Sequence, residues 1–289
     1  MTNLYHLALE PFELGLLRRA LLEIVLVAAI AAAVGCFVVL RGIAFIGETM
    51  SHTVLPGVAI AYAAGLSIYL GAGLFALLTI GLVLLGSRDA RSTPDAAIGV
   101  AFAGLFPLGV ILLSLRTAPD RSLDDLLFGS PLAASRSDLL VTVAVGAVIV
   151  TVAAASFRAL VATSFDRPFA QALGYRLAPV DVALLVAVAA TVVLAMLTVG
   201  TVLSLGLLVT PPAAARLLTR RLAPMIATAI ALAVVAGVAA MELSYWLDVA
   251  TGATIVLCTG AELVVALAVH ARRGRAAARK PASLVPAAV

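Results

Sequence analysis

A glutamate and a histidine stand one helical turn apart at residues 47–56, GETMSHTVLP, between two long apolar runs. On a helix, Glu48 and His52 would share one face, separated by about 6 Å along the axis. A charged side chain at mid-bilayer costs about 2.5–3.5 kcal/mol on insertion scales, so residues kept there are usually functional. The spacing allows two interpretations: a hydrogen bond that holds two helices together, or part of a cation site.

Pro56 adds a possible ligand to the same helical turn. Proline has no N–H, so the carbonyl of His52, four residues earlier, loses its partner in the helix. A carboxylate, an imidazole and a free carbonyl are ligands for a hard or borderline divalent cation. Ser51 lies between the two charged side chains, and we include Ser51 and Pro56 as possible lining of an ion path.

The composition makes the lipid bilayer the solvent of this chain. It has 63% hydrophobic and 12% charged residues, whereas soluble domains have about 45–50% and about 25%. Nine apolar segments follow one another, at residues 20–40, 43–64, 66–85, 96–115, 139–160, 180–197, 200–218, 225–243 and 252–269. Only helices satisfy the backbone of such segments in lipid. We therefore predict an all-α polytopic membrane protein with eight or nine transmembrane helices.

Basic residues indicate the orientation. Arginines at the ends of alternate segments, and the tail after residue 270, mark the cytoplasmic side of a plasma-membrane protein. Arg18 and Arg19 precede the first segment, which nine spans would put outside, so the number of spans stays at eight or nine. We predict an N-terminal segment at 1–19, a transmembrane permease domain at 20–270 and a basic, disordered cytoplasmic tail at 271–289.

One predicted cytoplasmic loop contains a short helix, in FDRPFAQALG. Asp166 can cap its start and Gly174 can stop it. Phe169, Ala172 and Leu173 form one apolar face. This helix either lies on the membrane surface or inserts into a groove of a partner protein.

Several motifs resemble, in the same order, those of the zinc/manganese permease family of ABC importers. The resemblance starts with GCFVVLRGIAFIGETMSHTVLPGVAIAYAAG, at residues 35–65. It continues with PDAAIGVAF, DDLLFGS, FDRPFAQALG, VGTVLSLGLLVTPPAAARLL and SYWLDVATGATIVL, and covers nearly all of residues 18–269. The chain departs from the family at Glu48, where aspartate is usual. It also departs at Glu242 and Glu262, two acids where small or apolar residues are expected, which either pack against donors or face the path.

The resemblance implies a permease subunit that works as a homodimer and transports zinc or manganese. Cytoplasmic ATPase subunits would drive it, and an extracytoplasmic metal-binding protein would deliver the ion. The short helix from Asp166 to Gly174 would couple the chain to the ATPase. Glu48 and His52 would bind the metal in transit, with two copies together supplying four side chains.

Two other classes of function compete with this interpretation. The chain has no G-x-x-x-x-G-K-[ST] motif and its only lysine is Lys280, so we expect ATP to be hydrolysed by a partner. We also expect no enzymatic activity, no cofactor and no nucleic-acid partner for this chain. A proton-coupled secondary metal carrier could use Glu48, Glu242 and Glu262 as a relay. An intramembrane metalloenzyme is disfavoured, because there are only 3 histidines, too far apart to share one site.

Overall fold

A computed structural model describes residues 15–87, 93–115 and 135–278. Within these residues the chain is helical and has no strand. The 12 helices are α1 (Gly15–Arg41), α2 (Phe45–Thr53), α3 (Leu55–Ala63), α4 (Ile68–Gly86), α5 (Pro94–Ser114), α6 (Arg136–Ala155), α7 (Phe157–Phe165), α8 (Arg167–Ala172), α9 (Leu177–Val199), α10 (Thr201–Leu218), α11 (Leu222–Leu247) and α12 (Thr251–Ala278).

Seven of the described helices, α1, α4, α5, α6, α9, α11 and α12, are long and apolar enough to cross a bilayer. Two of the nine apolar segments do not give such a helix. Residues 43–64 form α2 and α3, with 9 residues each, and the apolar part of α10 is the shorter stretch Ser204–Leu218. The all-helical membrane fold is therefore confirmed, whereas the count of eight or nine spans is not.

Three helix boundaries differ from the predicted segments. The first helix begins at Gly15, so Arg18 and Arg19 lie within it rather than before it. The segment at 139–160 divides at Ser156 into α6 and α7. The last helix continues through Ala278, so the region predicted as a disordered tail begins as helix.

Helix α1 lies at the centre of the bundle, in contact with α6, α9, α10 and α11. Its buried side includes Ile24, Val27, Ala28 and Ala31, each 1% exposed or less. By contrast, α6 has exposed valines and leucines along its length, as expected for a helix in contact with lipid. The central position of α1 explains why one acid inside it, Glu23, is fully buried.

Glycines allow the helices around α3 and α1 to approach closely. A Cβ on Gly57 of α3 would overlap the carbonyl of Gly71 on α4, and a Cβ on Gly35 of α1 would overlap the carbonyl of Leu208 on α10. A Cβ on Gly109 of α5 would lie 2.9 Å from a ring carbon of Pro56. Small residues at such crossings are typical of helix packing in membranes. These contacts fix α3 between α4 and α5.

Hydrogen bonds join helix ends at both ends of the bundle. The Tyr69 hydroxyl, at the start of α4, donates to Asp138 at the start of α6 over 2.9 Å. At the other end, Arg216 of α10 donates to the Val39 carbonyl of α1 at 3.1 Å, and Arg273 of α12 donates to the Leu218 carbonyl at 3.3 Å. Basic residues thus gather at one end, as the sequence pattern predicts.

Candidate metal path and coupling helix

The two residues with metal-binding potential lie on α2, which begins at Phe45 and ends at Thr53. Glu48 is in its first turn, where a carboxylate interacts favourably with the helix dipole. Ser51 is buried, and its hydroxyl donates to the Glu48 carbonyl at 2.7 Å. Pro56 lies in the first turn of α3, and the chain is interrupted between the two helices at Val54. The sequence analysis gave residues 43–64 as one segment, and Pro56, which cannot donate a helical hydrogen bond, is the local reason for the break.

The Glu48 and His52 side chains are in direct contact. The His52 Nε2 lies 3.1 Å from a Glu48 carboxylate oxygen, and the side chains are 14% and 31% exposed respectively. This hydrogen bond lies within α2, so it does not hold two helices together. The other ring nitrogen, Nδ1, is buried with no hydrogen-bond partner among the described residues. The pair therefore keeps unused ligating capacity.

Two phenylalanines of α5 hold the imidazole ring in place. Phe102 and Phe106 meet it edge-on, with ring centroids 5.8 and 5.0 Å from that of His52. The two phenyl rings stack on each other at 5.2 Å. The sequence analysis did not identify them, although their spacing of four residues in FAGLF was a signal that they share one face of α5.

The Glu48 and His52 side chains are close enough to bind one ion together. Their separation of 3.1 Å is that of a hydrogen bond, and it also lies within the range of about 3.0–3.4 Å between two ligand atoms that are each about 2.1 Å from one metal. No group of three or more His, Cys, Asp or Glu residues that could hold a metal occurs in the part of the chain that the structure describes. One copy therefore offers two side-chain ligands at this place.

The two other candidate acids do not join this pair. Glu242 lies on α11, four residues before Trp246 on the same helix. Glu262 lies on α12, with one carboxylate oxygen buried and without a partner among the described residues. Neither completes a three-residue cluster with Glu48 and His52 in those residues.

The predicted short helix is present as α8, with 6 residues. Asp166 caps it by accepting from the Phe169 N–H at 2.9 Å, and Gly174 ends it with a φ of +85°. Phe169 and Leu173 are each 58% exposed. Ala172 is exposed beside them, and Ala170 on the opposite side is buried. The apolar face that the sequence predicts is therefore more than half exposed among the described residues.

One buried acid was missed by the sequence analysis. Glu23 is 0% exposed, and one of its carboxylate oxygens accepts a hydrogen bond from Thr142 of α6 at 2.5 Å. Its other oxygen has no partner among the described residues. A single acid within the apolar run LLEIVLV was the available signal, and we gave it no role.

Comparison with known proteins identifies the family. Residues 13–270 match the model of the ABC 3 transport family. The chain belongs to this family. It is 36% identical over 277 residues to the manganese transport system membrane protein MntC of Halalkalibacterium halodurans, covering 95% of this chain and 94% of that one. It is also 36% identical over 241 residues to the manganese import system permease protein ScaB of Streptococcus parasanguinis, covering 83% and 86%.

A solved structure agrees with the computed fold of the ABC 3 chain. PsaBC from Streptococcus pneumoniae, determined in complex with Fab, includes a chain that superposes with a TM-score of 0.82 at 33% identity. The match covers 92% of this chain and 95% of that chain. The resemblance identified from the sequence motifs is confirmed. The chain is a membrane-spanning ABC transporter permease, and permeases of this family work with ATPase and substrate-binding partners.

Proposed function

We propose that this ABC 3 permease forms the translocation path of an ATP-driven importer for a divalent transition metal, as a homodimer in the plasma membrane. Manganese is the first candidate for the ion and zinc the second. The observation that carries the proposal is the Glu48–His52 pair, which joins a carboxylate and an imidazole within a membrane-embedded helix. The relatives named for manganese transport support the choice of metal.

Two copies would complete the metal site. A two-fold axis through the path would bring together two glutamates and two histidines, which is enough for a tetrahedral ion. Bidentate carboxylates would raise the coordination number and favour manganese, whereas four-coordinate binding through the imidazoles would favour zinc. The bound cation would neutralise the acids, and binding has to be weak enough for the ion to leave.

The coupling helix would receive the motion of the ATPase. The exposed apolar face of α8, formed by Phe169, Ala172 and Leu173, fits a hydrophobic groove in a cytoplasmic partner. This arrangement requires the basic end of the bundle, and hence the C-terminus, to be cytoplasmic. At the opposite end, the turn after α11 around Trp246 and Asp248 would contact the extracytoplasmic metal-binding protein. The loop DDLLFGS, at residues 124–130, would be a second contact with that protein, and it lies outside the described residues.

The proposal is tested by reconstitution in lipid vesicles. The chain is co-purified with its ATPase, and uptake of radioactive manganese is measured with ATP and the metal-binding protein. We expect Glu48→Gln and His52→Ala each to reduce uptake about 100-fold, because losing even a residue that only orients a metal ligand costs about 10- to 100-fold, while the complex still assembles. Acidification should also weaken uptake, because protonation removes the lone pair with which an imidazole binds metal.

The matched control is Glu242→Gln. It makes the same change of carboxylate to amide on α11, a helix long enough to cross the bilayer, and the amide oxygen can still accept a hydrogen bond. This variant should transport at close to the normal rate. Normal uptake by His52→Ala, or a metal-bound structure with the ion away from Glu48 and His52, would refute the proposed path.

A further inference from the structure

An arginine–aspartate–arginine bridge lies next to α8. Arg41, the last residue of α1, donates from Nη1 to Asp181 of α9 at 2.5 Å. It also donates from Nη2 to Thr163 at 2.7 Å and from Nε to Ser164 at 3.1 Å, both at the end of α7. The Arg41 side chain is only 7% exposed, so its charge depends on these partners.

The carboxylate of Asp181 is shared between two arginines. Its second oxygen accepts from Nη2 of Arg167 at 2.5 Å. Arg167 is the first residue of α8, and its side chain is 53% exposed, compared with 22% for Asp181. One carboxylate therefore connects a buried cation at the end of α1 with an exposed cation at the start of α8.

The buried end of this bridge is close in the chain to Glu48 and His52. After Arg41, α1 is closed by Gly42 with a φ of +70° and by a hydrogen bond from the Ile43 N–H to the Val38 carbonyl at 3.2 Å. This conformation favours glycine. Helix α2 begins at Phe45 and carries Glu48 in its first turn. The Arg41 guanidinium is thus connected through one tight turn to the helix that carries Glu48 and His52.

We propose that Asp181 is a positioning residue that couples α8 to the Glu48–His52 pair by holding Arg167 and Arg41 on one carboxylate. This inference rests on the proposed function for the roles of α8 and of the pair. Neutralising Arg41 needs only one carboxylate oxygen, and the second is used to reach α8. The bridge joins four helices, α1, α7, α8 and α9. Of these, α1 precedes α2 in the chain and α9 packs against α2 directly.

Two variants break the bridge at different points. Arg167→Ala removes only the ion pair between the exposed Arg167 and Asp181, and it leaves Arg41 paired with Asp181, so the fold should be retained. Asp181→Asn weakens both ion pairs, the one with Arg41 and the one with Arg167, and it lies away from the exposed apolar face of α8. The control is Arg176→Ala, which removes an exposed arginine at the other side of α8 that forms no ion pair among the described residues.

The first measurement does not depend on transport. Backbone hydrogen exchange of the full chain in lipid nanodiscs is followed at residues 42–48. We expect both bridge variants to raise the exchange rate about fivefold or more. This is the lower end of typical coupling effects, because an ion pair with an exposed partner such as Arg167 contributes little free energy. Arg176→Ala should leave the rate unchanged. Unchanged exchange in Arg167→Ala and Asp181→Asn would overturn the inference.

The second measurement is the number of metal ions transported per ATP hydrolysed by the assembled complex. We expect this ratio to fall about fivefold or more in both variants, at normal thermal stability. The double variant, Arg167→Ala with Asp181→Asn, should show the same ratio of metal ions to ATP as Asp181→Asn alone, because both substitutions act on the same connection. Arg167→Lys, which keeps a positive charge, should restore part of the ratio. If the bridge were purely structural, the variants would lower thermal stability, or lower the rates of metal transport and of ATP hydrolysis together, and the ratio of metal ions to ATP would stay unchanged. That result would overturn the inference.

The two measurements separate this inference from the proposed function. If exchange responds but the unmodified complex shows no ATP-dependent metal uptake, the proposed function is wrong and the connection between α8 and α2 stands. If the unmodified complex transports and the variants keep a normal exchange rate and a normal ratio, only the coupling role of Asp181 is wrong.

Discussion

Replacing Phe169 and Leu173 by serine is expected to release the permease from its ATPase while its helices stay folded. Each side chain is 58% exposed at the surface of α8, so little of the folded chain depends on it. The capping hydrogen bond from the Phe169 N–H to Asp166 involves the backbone and is kept in the variant. The loss should therefore fall on the association with the partner.

The exposed areas set the size of the effect. Fully burying a leucine or phenylalanine side chain contributes about 1.5–3 kcal/mol, and 58% of each side chain remains to be buried on docking. The two side chains together then contribute about 2–3.5 kcal/mol, which corresponds to a loss of about 30- to 300-fold in affinity. Uptake would fall in proportion to the bound fraction at ATPase concentrations that only just saturate the unmodified permease.

The assay is the titration of nanodisc-embedded permease with purified ATPase, together with the melting temperature of the permease alone. A matched control is Leu66→Ser, which removes a similarly exposed side chain, 60% exposed, between α3 and α4. The control should bind ATPase normally. If the double variant bound within about threefold of normal, well below the range worked from its exposed area, α8 would not be the docking element.

Three further predictions concern packing, the metal and orientation. Gly71→Ala should destabilise the chain by about 1–3 kcal/mol in thermal unfolding because its Cβ would overlap the backbone of α3, whereas Gly73→Ala, which meets open space, should be neutral or stabilising. Glu48→Asp should keep transport, because the carboxylate remains, but alter the ratio of manganese to zinc uptake in competition assays. A cysteine at Arg216 should react with a membrane-impermeant thiol reagent only from inside and a cysteine at Asp248 only from outside, and the reverse result would invert the topology.

The sequence predicted that the helices exist more reliably than it predicted the residues at which they begin and end. Apolar runs must be helical in lipid, so their existence follows from composition. The interruption at Val54 could be expected from Pro56, which removes one hydrogen bond. The division at Ser156 has no comparable signal, and neither a proline nor a glycine occurs within residues 150–163.

The sequence predicts those parts of the candidate site whose residues lie within one helix. Glu48 and His52 are four residues apart, so a helical wheel is enough to pair them, and the structure adds the distance. Arg41 and Asp181 are 140 residues apart, and nothing in either local segment indicates that they meet. Long-range contacts depend on how the helices pack, which the apolar pattern of a membrane chain specifies poorly because nearly every face is apolar.

The interruption at Val54 makes α2 and α3 mechanically unequal. Backbone contact at Gly57 and Gly71 locks α3 to α4, and Gly109 of α5 abuts Pro56 from another side. Helix α2 is joined to α3 through the single residue Val54, and it packs against other neighbours, α5, α9 and α10. A displacement of α2 is therefore expected to bend the chain at Val54 and to leave α3 in its place against α4.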